Sequence, residues 1–357
     1  MASIYYLILT IWILLSNDPD KVFFRSEKLQ GFAFTELEDE FFILDDKGEE
    51  IQIVALIDER GMLYWHRRLL TPVCLTGECN LIDIGIFWKC TGEFLGLEIY
   101  GEHLTKTDHS EFSEKDYKRL TEILENDWSK LREYEISDLV DEVWDDNPNV
   151  DGTSGATKKE IAAEAVEDAV YTTHTIWHLI HVGEKEQIRE LTASELTKDP
   201  SLLEKFLAND NTNIIREFVL KLISTGKFVE EEWVNTFVIE SLEMEGGREL
   251  NSLATKSLPR CDYSDHWFVN RLIAIYSGLN TEEKIKFISE FQHLNYIPTD
   301  LSNAIVANIS SQQDWYIVKV FQLFKDKEEH QGLLKNIAGN LESKDNPLLE
   351  NILKGYR

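Results

Sequence analysis

The chain has 357 residues, 43% hydrophobic and 11% aromatic, which excludes wholesale disorder and allows two or three domains with their own cores. With 36 Lys+Arg against 65 Asp+Glu the net charge is −29, a field that repels phosphate backbones. No compact basic stripe overrides it, so no nucleic acid is expected as a partner; an acidic surface suits plain solubility or a cationic protein such as a basic electron carrier.

In chain order, residues 4–15 form an uncharged apolar run that ends at Ser16-Asn17-Asp18-Pro19. It is short of the roughly 20 residues a bilayer span needs and suits a signal-peptide core. Residues 1–18 are therefore expected to be a signal peptide or N-terminal anchor, with an extracytoplasmic location, periplasmic or membrane-associated. No Lys or Arg precedes the run and no small-residue cleavage site follows, so a buried N-terminal strand or helix is the alternative.

From 21 to about 72, short apolar runs alternate with turn signals. Val22–Phe24, Phe41–Leu44, Ile51–Ile57 and Met62–Trp65 read as strands, with turns at 45–48 and 58–61. Leu81–Trp88 and Phe94–Tyr100 read as a hairpin closed by Lys89-Cys90-Thr91-Gly92-Glu93. The four cysteines, Cys74, Cys79, Cys90 and Cys261, lack zinc or haem spacing; unpaired buried thiols are expected, with a Cys74–Cys79 disulfide as the alternative. From Ser113 to Val143 the pattern turns helical, with an N-cap in Ser113-Glu114-Lys115-Asp116.

Asp151-Gly152-Thr153-Ser154-Gly155-Ala156-Thr157 is a run of turn formers feeding a helix expected from Lys158. Thr157 and Glu160 have capping-box spacing; equally, such a turn at a helix N-terminus can seat a phosphate. The following helix would carry Ile161, Ala165, Val166, Ala169, Thr173, Trp177 and Ile180 on one face. His174, His178 and His181 lie on it at metal-compatible spacing, but without the carboxylate of an H-E-x-x-H pattern they read as satisfied core or surface histidines.

Asp151-x-x-Ser154-Gly155-Ala156-Thr157 resembles the D-x-x-[ST]-G-A-[ST] flavinylation motif of FMN-binding domains, found in flavoprotein subunits of sodium-pumping NADH:quinone reductases and Rnf-type complexes. The resemblance covers about 72–183. It implies an FMN joined by phosphoester to Thr157, delivered by a flavin transferase, with Asp151, Ser154, Gly155 and Ala156 presenting the threonine. Such domains carry an E-T-P-G-L-G-like loop after the hairpin, where this chain reads Gly101 to His109, which leaves the ring environment undefined.

Beyond 184 helices take over, around 212–225, 229–242, 263–278, 281–293, 299–309, 313–326, 328–341 and 345–356. Asp265–Leu272 resembles Gln313–Val320, and the step from Trp267 to Trp315 is near the size of a HEAT or armadillo unit. The expected organisation is an α+β FMN-binding-like domain over 19–184, then an all-α helical array over 185–357, a HEAT-like solenoid or a bundle, that docks a partner protein. The expected function is a flavoprotein electron carrier with a redox partner protein, rather than an enzyme with its own substrate. The alternatives are a non-redox interaction module in which Thr157 is only a helix cap, and a flavin reductase with noncovalent FMN.

Overall fold

The computed structural model describes residues 21–45, 48–73, 81–140, 157–209, 212–228, 231–341 and 346–357. The chain divides into two compact units, Met1–Asn209 and Asp210–Arg357. The first is an α+β unit and the second is helical. The expected N-terminal leader and the Cys74–Cys79 pair lie outside the described residues.

The first unit is built on an antiparallel sheet that curls into a half-barrel. Its strands are β1 (Val22–Arg25), β2 (Phe34–Glu36), β3 (Phe41–Leu44), β4 (Glu50–Asp58), β5 (Leu63–Thr71), β6 (Ile82–Lys89) and β7 (Phe94–Tyr100). They run in the order β1-β7-β6-β5-β4-β2, with β3 paired to β4. The expected 81–100 hairpin is β6–β7, closed by Lys89 N donating to Glu93 O (2.8 Å) over Gly92 at φ +77°. β5 runs well past the expected Trp65. The His66-Arg67-Arg68 run breaks the apolar pattern, yet each side chain finds a place by strand alternation.

That alternation sorts the sheet into two faces. Trp65, Arg67 and Leu69 share registers with Trp88, Ile86 and Ile84, and the last two with Leu97 and Ile99. Helices cover this face. Trp65 Nε1 donates to Thr192 Oγ1 (2.8 Å), Thr192 Oγ1 donates to Cys90 O (2.7 Å), and Trp88 Nε1 donates to Ile180 O (3.2 Å). Arg67 pairs with Glu184. On the opposite face, the row Arg68–Gly85–Glu98–Arg25 crosses four strands, flanked by His66–Phe87–Gly96 and Leu70–Asp83–Tyr100. Leu29 lies against Gly96, where a Cβ would meet its Cγ at 2.7 Å, and Phe34 stacks on Phe87.

The helices of the first unit are α1 (Glu114–Leu124), α2 (Lys159–Ala162), α3 (Val170–His181), α4 (Glu184–Lys198) and α5 (Pro200–Asn209). α1 opens on the expected N-cap, Ser113, which closes a capping box with Asp116, but it stops at Leu124 rather than continuing to 143. Asn126 Oδ1 takes the Trp128 amide (3.0 Å) and Ser129 Oγ the Leu131 amide (3.3 Å), turns that divert the chain into a 3-10 turn over Lys130–Glu133. The helix expected from Lys158 onward is two pieces. Asp168 at φ +58° separates α2 from α3. The first unit also extends past the expected boundary at 184, because α4 is tied to the sheet through Thr192 and through Gln187, which exchanges two hydrogen bonds with the Leu44 backbone (2.7 and 2.8 Å).

The second unit contains α6 (Asn213–Ser224), α7 (Glu232–Glu243), α8 (Arg248–Ser257), α9 (His266–Gly278), α10 (Thr281–Phe291), α11 (Thr299–Val306), α12 (Asp314–Phe324), α13 (Gln331–Asn340) and α14 (Pro347–Tyr356). Alternate helices pack together: α6 on α8, α8 on α10, α10 on α12, α12 on α14, and in a second series α7 on α9 and α9 on α11. The starts are evenly stepped, Asn213, Arg248, Thr281, Asp314 and Pro347 in the first series; Glu232, His266, Thr299 and Gln331 in the second, with α13 as its last member. Burial follows the same step. The sixth, seventh and tenth positions after the first four starts are Val219, Leu220 and Ile223; Ala254, Thr255 and Leu258; Phe287, Ile288 and Phe291; and Val320, Phe321 and Phe324, all buried, whereas in α14 only the sixth, Leu353, is. In the second series the third and sixth positions, Asn235/Val238, Val269/Leu272, Ser302/Ile305 and Leu334/Ile337, are buried likewise. The helix pair therefore repeats at the step from Thr281 to Asp314, shorter than the expected step from Trp267 to Trp315. That likeness joins the first turns of α9 and α12, which belong to different series.

Candidate cofactor-attachment site

Asp151, Ser154, Gly155 and Ala156 lie outside the described residues, and Thr157 lies within them. Thr157 forms an isolated antiparallel bridge with Val140, and Lys158 N donates to Leu139 O (3.1 Å). Val140 and Thr157 thus meet in one paired neck. Leu139 and Val140 are buried on one side of it, while Thr157 keeps part of its surface in solvent.

The neck corrects the capping expectation. The N-cap of α2 is Lys158, with no side-chain cap bond, and Glu160 does not reach back to close a box. Its carboxylate instead accepts from Tyr134 Oη (2.9 Å). α2 spans four residues, so it offers neither the dipole nor the row of free amides that a phosphate seat on a long helix would use.

A strap over 124–134 holds the segment that follows Thr157. Ser129 Oγ donates to Glu164 Oε2 (2.7 Å), Tyr134 bonds Glu160, and Lys158 Nζ stands 5.7 Å from the Tyr134 ring centroid. From α1, the Arg119 guanidinium donates to Ala163 O. α3 in turn grips the strap. His174 Nε2 meets Tyr134 O at 2.7 Å, Trp177 Nε1 donates to Asn126 O (3.0 Å), and His181 Nε2 meets Leu124 O at 2.9 Å. The three histidines spend ring nitrogens on backbone carbonyls, and no group of His, Cys, Asp or Glu able to hold a metal occurs among the described residues. They are packed histidines, as their apolar neighbours in the sequence suggest. Tyr134 and the strap have no such signal; a lone Tyr in a charged stretch carries no pattern that singles it out.

The 101–109 segment beyond β7 folds against the same region. His103 stacks edge-on to Phe23 and meets Tyr117 Oη at 3.3 Å, and Thr107 bonds Asp168 O through its amide (2.8 Å) and hydroxyl (2.6 Å). On the sheet's other face, Glu98 is buried between Arg25 Nε (2.9 Å) and the Tyr100 hydroxyl. Arg68 lies over the Tyr100 ring (4.0 Å) and grips both oxygens of Asp83 (2.9 and 2.8 Å). This ladder is internally satisfied, except that His66 Nε2 is buried without a partner. Burial, and then Arg68, pushes the His66 pKa down to about 4, which keeps the ring neutral.

Two features of the helical unit have the look of chemistry. Ser302 Oγ, His330 Nε2 (2.6 Å) and Glu329, 3.4 Å from His330 Nδ1, stand in hydrolase-like order, but Ser302 is 2% exposed and its hydroxyl donates to Pro298 O (3.0 Å). It is a tie between α11 and the start of α13. A groove of about 630 Å³ is lined by Glu231, Glu232, Asn235, Arg260, Asp262 and Asp265, among others. Its walls are held together by Asn235, which donates to Asp262 O (2.9 Å) and accepts from Asp262 N (2.9 Å). Cys90 is buried and Cys261 half-buried, both as thiols.

No family model matches the chain, and no solved structure matches it. Among curated proteins it is similar to the UPF0754 membrane protein YheB of Bacillus subtilis (strain 168), 30% identical over 131 residues, which are 37% of this chain and 30% of that protein. The chain therefore matches under a third of that relative's length. No helix among the described residues is long and apolar enough to cross a membrane.

Proposed function

We propose that this chain is a flavoprotein electron carrier, with FMN joined through its phosphate to Thr157. The observation that carries the reading is the state of Thr157: a partly exposed threonine fixed by its backbone at a paired neck and not used as a helix cap. The hydroxyl is accordingly not committed to α2. Lys158 and Lys159 follow directly, so a phosphodiester there would meet cations in an otherwise acidic unit. In the attachment step Thr157 Oγ would form a bond to the flavin-side phosphorus of FAD as the anhydride bond to AMP breaks, with the hydroxyl proton passing to the transferase. The bound group supplies the redox chemistry; the chain supplies position.

The helical unit would act as a HEAT-like solenoid that docks a partner protein, a reading supported by the even step between helix pairs and the packing of alternate helices. The apolar run at 4–15 supports export or membrane attachment, and the relative's description as a membrane protein agrees with it. Of the net charge, residues 1–209 carry 20 basic and 43 acidic side chains and residues 210–357 carry 16 and 22, so the carrier unit would favour a cationic redox partner.

The test is co-expression with an active flavin transferase, denaturation, and gel fluorescence. A fluorescent band that disappears in Thr157→Val is expected. A dark wild-type band, beside a labelled control substrate, overturns the reading; fluorescence retained in Thr157→Val moves the attachment elsewhere.

A further inference from the structure

α3 carries three histidines, of which His174 and His181 meet backbone carbonyls of the strap while His178 lies against His174 on its own helix. The His174 and His178 rings lie against each other with centroids 3.9 Å apart and planes tilted by 32°, and His181 lies against Trp177 at 4.6 Å. Their ring nitrogens meet backbone carbonyls: His174 with Tyr134 O, His178 with His174 O (3.1 Å), His181 with Leu124 O. Two of these contacts, with Trp177 to Asn126 O, are the ties by which α3 holds both ends of the strap.

The charged groups that face the rings are few. Glu135 faces His174 and His178, while His181 Nδ1 stands 3.3 Å from Asp127, which is itself paired with Lys185 of α4. Burial is the largest influence on each ring and holds all three pKa values below 6.5, against the opposing pull of the carbonyls and carboxylates. His181 has Asp127 beside it to receive a charge. The His174–His178 pair shares the single carboxylate of Glu135, so a second proton would set two like charges against each other within a buried contact.

We propose that the His174–His178 ring pair is a proton-operated clamp, which through His174 holds the 124–134 strap on α3 while both rings are neutral and releases it on acidification. Because the strap also holds Glu160 and Glu164, its release loosens the segment directly after Thr157. The clamp works whatever Thr157 carries. It gives the unit a response in the range where histidine is the ordinary titrating side chain.

The test uses the full chain. Histidine resonances are followed from about pH 8 to pH 4, assigned by His174→Gln and His178→Gln, and amide exchange of 124–134 is compared with that of β5–β7 at about pH 7.5 and pH 5 after correction for intrinsic rates. The expected result is titration of both rings below 6.5 and a loss of strap protection, relative to the sheet, of about tenfold or more at the lower pH. In His174→Gln/His178→Gln, whose amides donate hydrogen bonds but do not titrate, the pH response should vanish. Ordinary or raised titration of both rings, or strap protection that does not change with pH, overturns the proposal. Should the double variant fail to fold, the wild-type titration and exchange decide it alone.

Discussion

Thr192→Val tests how α4 belongs to the first unit. Thr192 is fully buried; its hydroxyl accepts from the Trp65 indole at 2.8 Å and donates to Cys90 O at 2.7 Å, so one oxygen links β5, the β6–β7 turn and α4. Valine keeps the shape and removes both bonds. Trp65 is also fully buried, so its N–H would have no water to turn to, at a cost of about 1–3 kcal/mol; loss of the bond to Cys90 adds about 1. The expected destabilisation is about 2–4 kcal/mol, read as a lower urea midpoint for the transition of the first unit. Trp65→Phe in the same background removes the stranded donor, so the double variant should be less destabilised than the sum of the singles by about 1–2 kcal/mol. A change under about 0.5 kcal/mol for Thr192→Val, or strict additivity, would refute the argument. The same bond predicts that a fragment ending at 184 unfolds far more readily than one ending at 209.

Other consequences can be measured on the same chain. Gly85→Ala would place a Cβ 2.9 Å from His66 Nε2 and 3.0 Å from Tyr100 Cε2, and should cost about 1–3 kcal/mol; an unchanged melting temperature would contradict the close approach. The His66 pKa is depressed to about 4, so its contribution to stability is full above about 6.5 and falls away as pH drops toward 4, by on the order of 2–3 kcal/mol. His66→Gln should flatten that part of the stability–pH curve, and an unchanged slope would remove His66 as its source. Phe291→Ala empties a fully buried position of α10 and should cost about 3–5 kcal/mol in the helical unit, leaving exchange in β5–β7 untouched. Equal loss in both units would show that they unfold as one.

The strands are legible where apolar and polar residues alternate, as in Ile51–Ile57 and the 81–100 hairpin. The rest of β5 is hidden because His66, Arg67 and Arg68 break the apolar run, and two of them take their partners from distant residues, Glu184 and Asp83. The helix at α8 leaves little trace, since Gly246-Gly247 precedes it and Asn251, Ser252 and Lys256 dilute its pattern; its buried positions are Leu250, Ala254, Thr255 and the residues at its end. Without that helix the even step between pairs has no visible start, and the Trp267/Trp315 likeness takes its place. At the site, Thr157 is visible as a hydroxyl at a turn, but a capping box cannot be told from sequence when the glutamate is taken by Tyr134, far back in the chain. The amphipathic face of α3 is plain from its spacing, whereas the break at Asp168 depends on one left-handed residue that no spacing reveals.

The regular step between helix pairs has a bearing on how this chain can change over generations. With α8, α10, α12 and α14, and α9 and α11, each resting on the helix two places before it, and equivalent positions buried in most of them, successive steps of the unit are joined by similar surfaces. Gain or loss of a whole pair re-forms the same seam, while an insertion inside a helix throws every later buried position out of phase. Duplication and deletion are therefore expected to be tolerated in whole-pair quanta, which changes the length of the helical unit without disturbing the pairs that remain.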